Sequence, residues 1–304
     1  MILRILLCML LVAELQAQPY NFLSYSVAEG LAQSQVYALC QDSRGYLWCG
    51  TQGGGLSRFD GLDFQTFSSA NGLPSDFINA IFEDSQKRIW VGTNAGYAVI
   101  EQSQYCAGFK QTYAVNAICE TAEGEIWLGT NKGILACKSP TDSPLPVENL
   151  GEIASTSYTV HTFFPTKNGI WVGTNRGAYR VATTTPIALT TKNGLRSNLV
   201  TAFARDVENR LWIATPGNGI VILDEDWLKV VGTHLQALYP NCLRLDPTGK
   251  MWVGTSNEGL FIFDSNGQSW SQVNENQGLP HNHIREILLD RNDQMWVATS
   301  GGGM

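Results

Sequence analysis

The chain has 304 residues, enough to bury one large core or two ordinary ones, and only 15% are charged while 30 are Gly and 9 are Trp. That balance suits short strands and tight turns better than long solvated helices. With a formal net charge of −7 and no run of Lys or Arg to neutralise a row of phosphates, a nucleic-acid partner is excluded from the expectations.

The N-terminus differs from the rest. Arg4 precedes an apolar run from Ile5 to Val12, and small or polar residues follow to Ala17. This is the layout of a secretory signal peptide over 1–17, cut near Ala17 and Gln18. Leu15 is bulky for its place before the cut, so an uncleaved anchor is the alternative. Cys8 stands too early, after the large Leu7, for a lipid-bearing cysteine. No later apolar run reaches the roughly 20 residues that span a bilayer, so the body of the chain is expected to make no membrane contact. Loss of the leader leaves six of the seven cysteines. Cys40 and Cys119 occupy one place in two copies of the repeat described next, and Cys49 stands where other copies have Val, Leu or Ile. They read as buried apolar thiols rather than as a disulfide framework, and no CxxC pair suggests zinc.

From Tyr20 onward one pattern recurs. Trp-x-Gly/Ala-Thr occurs seven times, at Trp48, Trp90, Trp127, Trp171, Trp212, Trp252 and Trp296, with spacings of 42, 37, 44, 41, 40 and 44. A period near forty is that of a four-stranded propeller blade. Each copy opens on an alternating strand that ends in Asp in most copies, as in INAIFED ending at Asp84. A turn follows with Gly45, Asn209, Gly249 or Asp293 three residues on, types that tolerate the left-handed conformation. The second strand carries the Trp, a Gly-containing loop leads to a third such as GLFIFD at Gly259, and a fourth such as FQTF ends before a Gly-Leu pair. LACKSPTDSPLPVENLGEI, with Pro140, Pro144 and Pro146, predicts an irregular outer edge in the third copy, and the approach to the sixth copy is also degenerate.

The expected fold is all-β: a seven-bladed β-propeller of four-stranded antiparallel blades over 18–304, with the last blade incomplete. A Trp at one place in each second strand fills the space between blades, and the Gly two residues on lets neighbouring backbones approach. The motif is packing, not chemistry. NFLSYSVAEGL from Asn21 matches FQTFSSANGL from Phe64, so the chain is expected to begin on a fourth strand that closes the ring. Met304 aligns with Leu56, the first residue of a third strand, which leaves the seventh blade short and suggests a fragment of a longer protein.

The copies GLAQSQVYALCQDSRGYLWCGTQGGGLSRFD from Gly30 and GLPSDFINAIFEDSQKRIWVGTNAGY from Gly72 resemble the two-component regulator propeller family, and the resemblance covers about residues 20–304. It implies the periplasmic sensor region of a Bacteroidetes-type hybrid or sensor histidine kinase. In that family further blades, a small β-sandwich, a transmembrane helix and a cytoplasmic output module follow; they would be the propeller's partners, and any kinase activity would lie beyond Met304. The whole protein would then be anchored in the inner membrane.

The search for chemistry is mostly negative, and neither a cofactor nor a metal site is expected. His161, His234, His281 and His283 are the four histidines, and His281-x-His283 lacks a third ligand. The recurrent Asp reads as a turn cap. Asp42 to Gly45 is one residue too long for a sialidase-like Asp box, and Gly45 to Trp48 one too short for a quinoprotein repeat. In a four-stranded blade the loop into the first strand and the loop between the second and third share one face of the disc. That face gathers Gln33, Gln52, Asp76, Asn94, Lys132, Arg176, Arg196, Asn218, Glu258 and His281 around the channel mouth, an amide-rich rim suited to hydroxyl-rich ligands such as glycans. A stand-alone secreted glycan- or protein-binding propeller is the alternative to a sensor. A propeller lyase or hydrolase would need a His, Tyr or carboxylate cluster at one channel mouth that does not repeat between blades.

Overall fold

The computed structural model describes residues 21–101, 104–147, 150, 158–181, 186–224, 226, 228–265 and 267–304. The leader expected over 1–17 lies outside them. The first repeat forms β1 (Val36–Gln41), β2 (Leu47–Thr51), β3 (Leu56–Phe59) and β4 (Phe64–Phe67). The second forms β5 (Ile78–Glu83), β6 (Ile89–Thr93), β7 (Gly96–Glu101) and β8 (Gln104–Lys110). The third forms β9 (Val115–Glu120), β10 (Ile126–Thr130), β11 (Gly133–Cys137) and β12 (Leu145–Pro146), the last a two-residue strand where the proline-rich edge was expected. The fourth comprises β13 (Val160–Thr166), β14 (Gly169–Thr174), β15 (Gly177–Val181) and β16 (Ile187–Leu189), and the fifth β17 (Ala202–Arg205), β18 (Leu211–Ala214), β19 (Ile220–Asp224) and β20 (Lys229–His234). The sixth comprises β21 (Pro240–Leu245), β22 (Met251–Thr255), β23 (Leu260–Phe263) and β24 (Trp270–Val273). The seventh repeat supplies β25 (Ile284–Leu289) and β26 (Met295–Thr299).

The expectation of a seven-bladed propeller is therefore corrected. Six blades of four antiparallel strands form, not seven, and the last repeat adds only the two-stranded sheet β25-β26. The reason is local. After Thr299 only Ser300–Met304 follow, and they form the turn that in other repeats leads into a third strand. The N-terminal segment meets this turn at Tyr25, which exchanges two backbone hydrogen bonds with Met304, at 2.9 and 3.0 Å. One residue pair is not a strand ladder.

The innermost strands β1, β5, β9, β13, β17, β21 and β25 lie side by side around an axis, and β25 returns to β1. A repeated tie between neighbours accounts for the circular order. The backbone N–H after the turn Asp donates to a side chain of the next inner strand: Ser43 to Glu83 at 2.9 Å and Ser85 to Glu120 at 2.8 Å. Arg291 makes the same bond to Gln41 at 2.8 Å, so the seventh repeat docks on the first as the others dock on one another.

The core lies between sheets, as the Trp spacing predicts. Trp48 packs with Ile78, Ile89 and Val91 of the second blade, and Trp252 with Ile284 and Ile287 of the last sheet. The motif glycine has the expected role: a Cβ on Gly50 would stand 2.6 Å from Ile78 Cγ2, and one on Gly92 2.8 Å from the Val115 carbonyl. The other two motif positions are hydrogen-bonding devices. Every motif Thr donates its hydroxyl to the carbonyl of a downstream glycine, at 2.7 to 2.9 Å in all seven copies, which fixes the turn between second and third strands.

The turn Asp does more than cap. Asp84 Oδ1 accepts the backbone N–H of Gln86 and Arg88, and its Oδ2 accepts the Trp90 indole N–H at 2.7 Å. Asp42, Asp206, Asp246 and Asp290 hold Trp48, Trp212, Trp252 and Trp296 in the same way, at 2.8 to 3.0 Å. A buried indole N–H needs a partner. Where Thr121 replaces the Asp, Glu125 accepts from Trp127 instead, at 3.0 Å. Cys40, Cys49, Cys119, Cys137 and Cys242 are free thiols, as the repeat positions of Cys40, Cys49 and Cys119 suggest for those three. Burial pushes Cys40, Cys119 and Cys137 up to about 12.

Candidate functional site

The first strand of each blade opens on a buried residue: Val36, Ile78, Val115, Val160 and Ile284, with Val200 and Pro240 at the matching places in the fifth and sixth repeats. The next residue lies at a register shift in six of the seven repeats, a β-bulge that re-aims its side chain. Those residues, with Thr201 of the fifth repeat, are Tyr37, Asn79, Asn116, His161, Thr201, Asn241 and Arg285. All seven line one central cavity of about 420 Å³, together with Arg244 and Glu286.

The ring is held by the backbone of its neighbours. Asn79 Nδ2 donates to the Val115 carbonyl at 3.3 Å, Asn116 Nδ2 to Val160 at 3.0 Å and Asn241 Nδ2 to Ile284 at 2.8 Å. Thr201 Oγ1 donates to the Pro240 carbonyl at 3.2 Å. At the closing seam the pattern changes. Arg285 Nη2 donates to the Tyr37 hydroxyl at 2.7 Å and Nε to Ser300 Oγ at 2.6 Å, with the guanidinium 4.1 Å from the Tyr37 ring centroid.

Burial sets the charges. It depresses the pKa of Arg285, which the Tyr37 hydroxyl partly opposes, and that of His161, whose Nε2 is buried with no partner among the described residues. Burial also raises Glu286 above the ordinary carboxylate range, with Arg244 acting against it.

The ten rim residues fall on the loops where the sequence places them. The two loop sets share a face, since Gly53 and Gly55 donate to the Asp76 carbonyl and Asn94 donates to that of Phe77. Two of the ten are committed to local turns. The Asp76 carboxylate accepts from Ser69 N at 2.6 Å and Ser69 Oγ at 2.7 Å. Asn198 and Asn282 repeat that role toward Thr191 and Glu275. His281 Nδ1 accepts from the His283 N–H at 2.9 Å, matching Ser75 and Ser197 in other copies. Asn94 reaches toward the cavity, accepting from Asn79 at 2.9 Å. Gln52 is half-buried, its backbone N–H donating to the Gln35 carbonyl, and Gln33 keeps a buried Oε1 without a partner among the described residues. Lys132, Arg176, Arg196, Asn218 and Glu258 are exposed; Lys132 reaches Thr112 at 3.4 Å and Arg176 lies 5.2 Å from the Tyr158 ring centroid.

None of the ten lines the cavity. Sequence reasoning missed the channel ring because it searched the loops and treated the first strands as packing. The signal is present: the residue after the buried Val, Ile or Pro is polar in every copy, Asn in three of them and Tyr, His, Thr and Arg in the others.

Radial four-stranded sheets around a polar channel define a β-propeller. The chain carries repeats of the two-component regulator propeller family, whose sequence profile matches residues 30–53, 72–95, 108–132, 194–217 and 278–301. No curated protein matches the chain in sequence. Among solved structures it is similar to an extracellular domain assigned to a hybrid two-component system of B. thetaiotaomicron, with TM-score 0.79 and 20% identity over 94% of this chain and 41% of that one. A second such domain from the same organism gives TM-score 0.77 and 22% identity, covering 93% of this chain and 39% of the other. The chain thus spans about two fifths of the length of these domains. Virginiamycin B lyase from Staphylococcus aureus shares the fold at TM-score 0.70 and 12% identity, over 88% of this chain and 93% of the lyase. At these identities the likeness is one of fold. Among the described residues no helix is long and apolar enough to cross a membrane.

Proposed function

We propose that the chain is a non-catalytic sensory propeller, exported by its N-terminal leader and forming the periplasmic, ligand-receiving part of a two-component signalling receptor. The observation that carries this reading is the repeat itself, matched five times by the two-component regulator propeller profile. The shared fold with extracellular domains of two-component systems supports it. In this reading the rim of Gln33, Gln52, Asp76, Asn94, Lys132, Arg176, Arg196, Asn218, Glu258 and His281 faces a hydroxyl-rich ligand such as a glycan. The exposed members make contact, while Asp76 and His281 hold the loops in shape. The partners are the receptor's own downstream domains.

Sequencing the gene beyond codon 304 tests the reading. A transmembrane helix followed by a kinase or regulator module in the same frame is the expected result. A stop codon within a few triplets would sink it.

A further inference from the structure

The cavity at the propeller axis has features that packing does not explain. Its volume of about 420 Å³ lies within the roughly 300–1,000 Å³ usual for small-molecule sites. Its wall holds two guanidinium groups, Arg244 and Arg285, against one carboxylate, Glu286. Burial disfavours the charged forms of both Glu286 and Arg285, and Arg244 acts against it at Glu286. Arg244 Nε donates to the Ile287 carbonyl at 3.2 Å, yet neither guanidinium forms an ion pair among the described residues, and an anion entering the cavity would supply the missing counter-charge. Two hydrogen bonds fix the Arg285 guanidinium, through Nε to Ser300 and Nη2 to Tyr37, so the group is pre-positioned and needs little reordering to receive an anion.

The rest of the wall offers hydrogen-bond acceptors. Asn79 and Asn116 each spend an Nδ2 donor on the neighbouring strand's carbonyl, which orients both carboxamides. Neither Oδ1 accepts a hydrogen bond from the described residues, so both stand ready to accept from hydroxyl groups. His161 Nε2 is a further buried polar atom with no partner among the described residues. A plain inorganic anion would leave these three unsatisfied. A neutral polyol would leave the guanidinium groups unpaired.

We infer that the axial channel is a binding site for a small polyhydroxylated carboxylate, its carboxylate held by Arg244 and Arg285 and its hydroxyls by Asn79, Asn116 and His161. This deepens the sensory reading by giving the propeller a second site and a ligand class. It rests on that reading for its biological meaning only, because binding is measurable whether or not the gene encodes a receptor.

The test is calorimetric titration of the full chain with D-gluconate, with D-glucitol (the same carbon chain without the carboxylate) and with acetate. Gluconate is expected to bind, with glucitol and acetate each weaker by at least about tenfold, the scale of one hydrogen bond to a charged group. Arg285→Gln and Arg244→Gln should each weaken gluconate by a similar factor. Arg285 also serves the closing seam, so Asn116→Ala, which leaves both cations in place, is the second variant; it should lose about three- to tenfold, the scale of a neutral hydrogen bond. No heat with gluconate, equal affinity for glucitol, or unchanged affinity in Asn116→Ala and Arg244→Gln would overturn the assignment. Such a failure leaves the receptor reading to the gene sequence, and a stop codon after 304 leaves the binding result standing.

Discussion

Asp84→Ala removes the acceptor on which one blade turn and one buried indole both depend. Its carboxylate receives two backbone N–H groups, the Trp90 indole and Arg88 Nε, the last at 2.6 Å. Trp90 is fully buried, and the Arg88 and Asp84 side chains are 12% and 0% exposed. Stranding the indole N–H costs about 1–3 kcal/mol, and removing one partner of a buried ion pair about 3–5 kcal/mol. The two overlap at one carboxylate, so we expect about 3–5 kcal/mol in all. At the roughly 2–4 °C per kcal/mol seen in domains of 150–250 residues, the melting temperature should fall by ~6–20 °C. The molecule carries its own control. Thr121 occupies the same place in the third repeat, where Glu125 already accepts from Trp127, so Thr121→Ala should cost less than about 1 kcal/mol. Calorimetric melting of both variants decides the matter. If Asp84→Ala melts within about 2 °C of Thr121→Ala, the tie between Asp and Trp is incidental and packing alone holds the blades.

Three further outcomes follow from the same geometry. Gly92→Ala places a Cβ 2.8 Å from the Val115 carbonyl and should destabilise by about 1–3 kcal/mol in urea titrations, whereas Ala298→Gly should lose only about 0.5–1 kcal/mol. Burial, Arg285 and His281 hold His283 down at about 4, so the unfolded chain binds a proton at 6.5 that the folded chain refuses. Stability should therefore fall as pH drops from 6.5 toward 4, and His283→Gln should flatten that part of the urea midpoint profile. The five described thiols are held above their usual range by burial and should resist a thiol reagent in the native chain, then react after denaturation. Rapid native labelling of Cys49 or Cys242, located by peptide mapping, would contradict the packing described.

Much of the fold was legible because repetition makes a weak signal additive. One Trp-Val-Gly-Thr is ambiguous, but seven at a period near forty specify blades, and the glycine's packing role followed from its place two residues after the Trp. The blade count was not legible. Sequence similarity counts repeats, while a blade exists only where four strands pair, and Met304 offers Tyr25 a single backbone pair. The Asp and Trp are six residues apart on opposite sides of a turn, a separation that alternation does not relate. Loop geometry placed the ten rim residues on their loops, yet the local bonding of Asp76 and His281 depends on side-chain direction, which loop geometry does not give. The channel ring was hidden because a β-bulge reverses the face that strict alternation assigns, turning Tyr37, Asn116 and Arg285 inward.

The most direct measurement is a crystal structure of the chain grown with D-gluconate. The account predicts one molecule in the axial channel, with its carboxylate on Arg244 and Arg285 and hydroxyls on Asn79 and Asn116. Ligand density confined to the outer rim, or a channel filled only by water at saturating gluconate, would contradict it.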